Sequence, residues 1–328
     1  TFNPNAVGTS PRDAHRNRAV TDLLEPGSTM KPLTVAAGLE AGAITADSLF
    51  NTHPGWIANG KYRTTDTHNY GVLDTTGVIR KSSNIGAALI ARRLSDAQFD
   101  AFLRRFGYGR VTGSGFPGEA AGLFPTPDRW SGTTKQTMSY GYGLNATPLQ
   151  IATAYAALGN GGLLHQPSFV KGQHATPRQV LDPKIAAEVL RMMQTVTEPG
   201  GTATQAAILG YHVAGKTGTS RKASAGGYSR RYIGYFAGLV PVDKPRFSMV
   251  VAVNDPTKGS YYGGIVSAPV FRNVMEGALR MMDVAPDNLD AWLAAQAEAE
   301  ARRLKASGHA LPADATAAVP APAARAVQ

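Results

Sequence analysis

The chain contains no cysteine among its 328 residues. That absence excludes disulfides, thiolate metal sites and cysteine nucleophiles together. No run approaches the roughly 20 consecutive apolar residues that a membrane-spanning helix needs. No signal peptide opens the chain, whose first residue is Thr1, so we expect an excised or processed piece whose targeting information lies elsewhere. The seven histidines (His15, His53, His68, His165, His174, His212, His309) are scattered without ligand spacing, and no metal is expected. Gly107-Tyr108-Gly109 lacks the third glycine of a phosphate-cradling loop. A Gly-x-Ser-x-Gly elbow for a Ser-His-Asp triad is missing too. The sequence calls for no cofactor.

What remains is an ordinary globular composition, 43% hydrophobic and 17% charged, long enough to bury a sizeable core. The formal charge of +10 suits an anionic surface or a carboxylate- or phosphate-bearing substrate, and serves solubility equally well. No basic tract is interleaved with aromatics, so nucleic acid is not an expected partner.

Residues 1–10 read as the end of a strand entering a loop, because Asn-Pro favours a turn. Residues 28–41 carry a helical pattern that ends at Gly42, residues 43–72 read as loop with short strands, and residues 73–106 return to helix in short pieces. Thr147-Pro148-Leu149-Gln150 combines an N-cap, a proline at the first helical position and a capping-box glutamine. Asp182-Pro183 opens a similar helix. The period then changes, with strand-like runs at 211–219, 231–240 and 246–253, before a closing helix at 270–282. The predicted class is α+β: an antiparallel β-sheet flanked by helices, with a mainly helical subdomain. Residues 290–306 are Ala-, Glu- and Arg-rich and predict an exposed helix. Residues 311–328, nearly all Ala, Pro and Val, have too little apolar bulk to order themselves.

Three short motifs carry chemistry. In Glu25-Pro26-Gly27-Ser28-Thr29-Met30-Lys31, a Pro-Gly turn leads into a helix and places Lys31 one turn from Ser28. Lysine accepts the serine proton only when neutral, so its ordinary pKa of about 10.4 must fall. Burial, a second cation and the positive end of the helix all act in that direction. In Lys81-Ser82-Ser83-Asn84, Ser82 is placed to relay a proton and Asn84 to hold a substrate amide. In Gly215-Lys216-Thr217-Gly218-Thr219, strand alternation turns Lys216 away from Thr217 and Thr219, and Gly218 permits close approach of a substrate backbone. A main-chain N–H of this strand, with that of Ser28, suits a developing oxyanion. Each motif alone has an ordinary structural explanation: a helix cap, a polar junction, an edge strand with a solubilising lysine.

Together, and in this order, they are the Ser-x-x-Lys, Ser-x-Asn and Lys-Thr-Gly set of penicillin-binding proteins and serine β-lactamases. From Phe2 to about Pro286 the chain resembles the transpeptidase domain of the class B penicillin-binding proteins that serve cell division. Supporting segments are Asn3-Pro4-Asn5, Arg16-Asn17-Arg18, Tyr140-Gly141-Tyr142-Gly143-Leu144, Pro199-Gly200-Gly201-Thr202 and Tyr261-Tyr262-Gly263-Gly264. Asn84 at the second motif favours the division branch over the elongation branch. The resemblance implies a domain over 1–288 and a tail over 289–328, with a sheet strand, pedestal domain and single membrane anchor preceding Thr1 in the parent.

The resemblance also implies roles. Ser28 would attack the D-Ala–D-Ala carbonyl of a peptidoglycan stem peptide with Lys31 as base, Ser82 as proton relay and Asn84 on the substrate backbone. Lys216, Thr217, Gly218 and Thr219 would bind the donor terminus, and Tyr142, Tyr228, Tyr232, Tyr261 and Tyr262 would form an aromatic wall. β-Lactams would acylate Ser28. A polytopic septal glycosyltransferase and other division proteins would be partners, on the periplasmic side of the inner membrane. Three alternatives share the motifs: a β-lactam-sensing domain without turnover, a D,D-carboxypeptidase and a serine β-lactamase. The last lacks a deacylating Glu-x-x-x-Asn segment or a Tyr-Gly-Asn here.

Overall fold

A computed structural model describes residues 4–9, 11, 15–173, 175–224 and 227–306. Of the segment 1–10, the described residues Pro4–Thr9 form a 3-10 helix where a loop was expected, and the expected strand end at residues 1–3 falls outside the described residues.

The helical part comprises α1 (Arg18–Thr21), α2 (Lys31–Glu40), α3 (Thr75–Arg80), α4 (Asn84–Arg92), α5 (Asp96–Arg105), α6 (Thr134–Ser139), α7 (Pro148–Gly159) and α8 (Pro183–Gln194). Between α2 and α3 lie the short strands β1 (Phe50–Asn51), β2 (Trp56–Asn59), β3 (Tyr62–Thr65) and β4 (Val72–Leu73). They pair as β1 with β4 and β2 with β3, both antiparallel. The pair β5 (Leu163–Leu164) and β6 (Arg178–Gln179) separates α7 from α8.

The main sheet comes next: β7 (Ala214–Ser224), β8 (Gly227–Val240) and β9 (Phe247–Asn254), antiparallel in the order β7-β8-β9. The chain then forms α9 (Gly263–Val266), α10 (Ala268–Met281) and α11 (Leu289–Ala306). Together these elements give the α+β arrangement of helices on an antiparallel sheet.

Local chemistry explains the boundaries. At α7, the Thr147 side chain accepts from the Gln150 N–H while the Gln150 side chain accepts from the Thr147 N–H, a reciprocal capping box with Pro148 at the first position. Asp182 caps α8 through the Lys184 N–H. Helix α2 is buried from Lys31 to Gly38, which explains why its sequence shows no clean polar face. Strand β8 is buried continuously from Ile233 to Val240, with α10 and α7 packed against it. β7 lies at one side of the sheet, against the turn that carries Ser28. That contact places the first and third motifs together.

Helix α11 is mostly exposed, but its first turn is anchored. The Asn288 N–H donates to the Gly210 carbonyl, and a Cβ added at Gly210 would meet the Trp292 ring at 2.8 Å. The expectation for 311–328 falls outside the described residues. Among the described residues, no helix is long and apolar enough to cross a membrane.

Candidate active site

Ser28 sits in the 3-10 turn Gly27–Met30, which runs directly into α2 at Lys31. Gly27 adopts a left-handed φ of 56°. The turn is held from two sides. Gly27 N–H donates to the Gly141 carbonyl at 3.0 Å, and a Cβ at Gly141 (φ 87°) would lie 2.0 Å from the Gly27 carbonyl oxygen. On the other side, a Cβ at Gly218 would press on Thr29 Cγ2 at 3.2 Å and the Pro26 carbonyl at 3.3 Å. Gly218 therefore permits close approach of β7 to the turn that carries Ser28, and it also lines the cleft beside that turn.

Lys31 is fully buried, and its Nζ is ringed by oxygens. It lies 2.9 Å from Ser28 Oγ, 3.1 Å from Ser82 Oγ, 2.8 Å from Asn84 Oδ1 and 2.5 Å from the Ser82 carbonyl. Ser82 reaches this nitrogen with both its side chain and its carbonyl because it adopts φ 61° in the turn between α3 and α4. That left-handed conformation costs a non-glycine residue about 1–2 kcal/mol. The Asn84 amide is oriented by Thr65, whose carbonyl accepts from Nδ2 at 2.9 Å, leaving Oδ1 toward Lys31. Both ends of the amide are thus engaged inside the protein.

Burial brings the Lys31 amine down to about 7, with the charge of Asp66 opposing the fall. The chemistry of the ring emerges from donor counting. A neutral amine offers two N–H groups and one lone pair. The Ser82 carbonyl and Asn84 Oδ1 only accept, so they take the two N–H groups. The lone pair is left for a hydroxyl that can donate, and Ser28 Oγ is in place for it.

Lys216 is also fully buried and is far from the solubilising lysine of an edge strand. Alternation had turned it away from Thr217, yet its flexible stem curls back. Nζ lies 3.0 Å from the Thr217 carbonyl and 3.4 Å from Thr217 Oγ1. Burial first, and the nearby Lys31 second, hold its amine well below the usual lysine range.

An open cleft of about 520 Å³ exposes Ser28, Ser82, Asn84, Thr217, Gly218 and Thr219 on its walls. Lys31 and Lys216 lie beneath that surface. Tyr142, Tyr232, Tyr261 and Tyr262 line the cleft as well. Tyr232 and Tyr261 stack with centroids 4.0 Å apart, and Tyr262 tilts against Tyr261 at 4.7 Å. Tyr262 is 51% exposed, which rules out a simple core-packing role. Tyr228 lies behind this wall and not on the cleft surface: it donates to Glu25 Oε1 at 3.0 Å and meets the Tyr142 ring edge-on. The cleft lining includes Lys81 and Arg221 and no carboxylate, so it favours an anionic ligand.

Several residues around the cleft were assigned no role from the sequence. Thr202 lines the cleft and shares a 2.7 Å hydrogen bond with Thr217, from a loop held by Lys81 through the Gly200 carbonyl. Thr202 had appeared only as part of a family segment. Glu25 accepts from the Gly143 N–H and from Tyr228, and burial raises its carboxyl above the usual range. Asp66 reaches the second motif from the β3–β4 loop. Away from the cleft, His212, Asp243 and Asp287 bring their ligating atoms within 4.8 Å of one another. Asp287 is occupied structurally there, accepting from the main-chain N–H groups of His212, Val242 and Asp243.

Comparison with known proteins identifies the family. The model of the penicillin binding protein transpeptidase domain matches residues 1–276. The chain is 43% identical over 290 residues to the peptidoglycan D,D-transpeptidase FtsI of Escherichia coli K12, covering 88% of this chain and 49% of that protein. It is 41% identical over 288 residues to the probable peptidoglycan D,D-transpeptidase PenA of Neisseria flavescens, covering 87% and 71%. The chain thus spans about half the length of FtsI-type relatives. Its structure resembles the transpeptidase domain of Burkholderia pseudomallei penicillin-binding protein 3, with TM-score 0.79, 38% identity and 83% of each chain covered. The chain belongs to the penicillin-binding protein transpeptidase domain family.

Proposed function

We propose that this domain is a serine D,D-transpeptidase that cross-links peptidoglycan stem peptides during septum formation, through an acyl-enzyme on Ser28. The observation that carries the reading is the 2.9 Å contact between a neutral-capable, buried Lys31 amine and the Ser28 hydroxyl. The relatives' naming as peptidoglycan D,D-transpeptidases supports the choice of substrate.

In this reading the donor peptide ends in D-Ala–D-Ala and lies along β7. Its terminal carboxylate is met by Thr217 and Thr219, with Lys216 beneath them. Ser28 Oγ attacks the carbonyl carbon of the penultimate D-Ala as its proton passes to Lys31 Nζ. The resulting oxyanion is held by the main-chain N–H of Ser28 and one on β7. Collapse breaks the C–N bond, and the departing D-Ala amine takes up a proton relayed through Ser82. An acceptor amine then attacks the Ser28 ester and loses a proton to the Lys31–Ser82 pair. The new amide forms and the Ser28 O–H is restored, so protons and bonds balance over the cycle.

A β-lactam ring presents the same carbonyl and carboxylate, and its opening leaves Ser28 acylated. Residues 1–288 would form the catalytic domain, with 289–328 as a C-terminal extension. The parent protein would be held at the periplasmic face of the inner membrane by an anchor outside this chain, next to a septal polytopic glycosyltransferase and other division proteins. The direct test is to supply a D-Ala–D-Ala pentapeptide donor and an amine acceptor and track products by mass spectrometry. A donor–acceptor amide that disappears in Ser28→Ala is the expected result. Release of D-Ala with water as the sole acceptor would make the domain a carboxypeptidase.

A further inference from the structure

Asp66, on the loop between β3 and β4, takes no part in the chemical steps of acylation and transfer, yet its carboxylate gathers three hydrogen bonds at one helix start. It accepts from Ser83 Oγ at 2.5 Å, from the Asn84 N–H at 2.5 Å and from the Ile85 N–H at 3.1 Å. Ser83 is the N-cap of α4, and Asn84 and Ile85 are its first helical residues. The N–H groups there have no partner within the helix, and a carboxylate satisfies them with a charge of the favoured sign. The Ser83 hydroxyl already accepts from the Gly86 N–H at 2.9 Å, so its single proton is free for Asp66. The adjacent Thr65 carbonyl holds Asn84 Nδ2. Residues 65 and 66 thereby grip Asn84 by backbone and side chain, and they do so next to Ser82, whose left-handed turn aims its oxygens at Lys31.

The charge matters as well as the grip. The groups that face Lys31 are Ser28 on its own turn, Ser82 and Asn84 between α3 and α4, buried Lys216 from β7 and Asp66 from the β3–β4 loop. Among these, Asp66 alone is anionic. Its field raises the proton affinity of Lys31, against a larger opposite effect of burial.

We propose that Asp66 is a positioning residue of this site: its carboxylate fixes the first turn of α4, and with it Asn84 and Ser82, and its charge balances the Lys31 ammonium. The proposal rests on the reading of Lys31 as the base for Ser28. Asp66→Asn is close to isosteric. Its Oδ1 accepts from the two N–H groups, and its Nδ2 donates to Ser83 Oγ, so geometry persists while charge is removed.

The experiment measures second-order acylation by a fluorescent penicillin from pH 5 to 9 in wild type and Asp66→Asn. Removing the anion makes the Lys31 ammonium a stronger acid, so the acid limb of the profile moves to lower pH by about one unit. Superimposable acid limbs in a folded variant would overturn the proposal, since a purely structural role changes amplitude and not position. If Asp66→Asn fails to fold, Asp66→Glu retains the charge but displaces the carboxylate from the N–H groups. It is expected to slow labelling at least about tenfold. Labelling of Asp66→Glu at the wild-type rate would overturn the positioning claim. Wild-type protein that never labels at Ser28 would overturn the underlying mechanism instead, and this proposal with it.

Discussion

Lys31 Nζ stands 2.9 Å from Ser28 Oγ while Asn84 and the Ser82 carbonyl occupy the N–H directions of the same nitrogen. The lone pair of the neutral amine is therefore directed by its neighbours, and the proposed mechanism depends on that direction as much as on proximity.

Replacing Lys31 tests this most simply. Lys31→Ala leaves Ser28 without a base, and acylation by penicillin should fall by about 10²–10⁴-fold with Ser28 still the labelled residue. Stopped-flow labelling measures the rate, and an unchanged value would assign the proton to another group.

The pH dependence of wild-type acylation has a definite sign. In the proposed mechanism Lys31 works as a base only when deprotonated, and burial brings its amine down to about 7. The rate should rise as pH increases through about 7 and level off above it. A rate that falls over that interval would mean that the ammonium is the working form.

Stability carries the same signature. An amine whose folded pKa is lowered binds fewer protons in the folded than in the unfolded state, so burial of the charge costs most below the folded value. For Lys31 that cost is complete below about pH 7 and is lost as pH rises toward the ordinary lysine range. Lys31→Met should therefore gain stability over wild type most at pH 6, with the gap closing toward pH 10. Urea melts at the two pH values check it, and a gap independent of pH would contradict it.

Gly141 supports the nucleophile turn from behind. With φ 87° and no room for a Cβ against the Gly27 carbonyl, Gly141→Ala should cost about 3 kcal/mol and slow acylation in whatever fraction remains folded. Thermal melting and labelling rate together measure this, and a variant equal to wild type in both would refute the contact.

The aromatic end of the cleft should act on specificity. Tyr261 stacks on Tyr232 and faces open space, so Tyr261→Ala should weaken capture of β-lactams with aromatic side chains by about 3–10-fold. Compounds with small side chains should be little affected. Equal loss for both classes would indicate a general distortion of the cleft.

Much of this site was legible in the sequence because its chemistry is local. A lysine one turn from a serine, a capping box at Thr147 and the continuous apolar run of β8 are each written within a few neighbouring residues. The class of the fold was readable from the change of period after Met193. The parts that were not legible depend on contacts distant in sequence. Asp66 lies 18 positions before Asn84 on an irregular loop, and no periodicity marks it. Gly218 was legible as a close-approach residue, but its packing against the turn that carries Ser28 depends on a contact far away in sequence. Lys216 defeated the alternation rule because a four-carbon stem can curl back past its own strand. Pro4–Thr9 turned helical because a turn-forming Asn-Pro leaves open the conformation of the residues after the turn.

Acylation of Ser28 is the proposed step on which the kinetic outcomes above rest. Incubating the protein with penicillin and mapping the adduct by peptide mass spectrometry, in wild type and in Ser28→Ala, tests it without intermediaries. The expected result is one penicilloyl group on the Ser28 peptide in wild type and none in Ser28→Ala, whose melting temperature stays within about 2 °C of wild type. Stoichiometric labelling that survives in Ser28→Ala, or an adduct that maps to another residue, would contradict the assignment of Ser28 as the nucleophile.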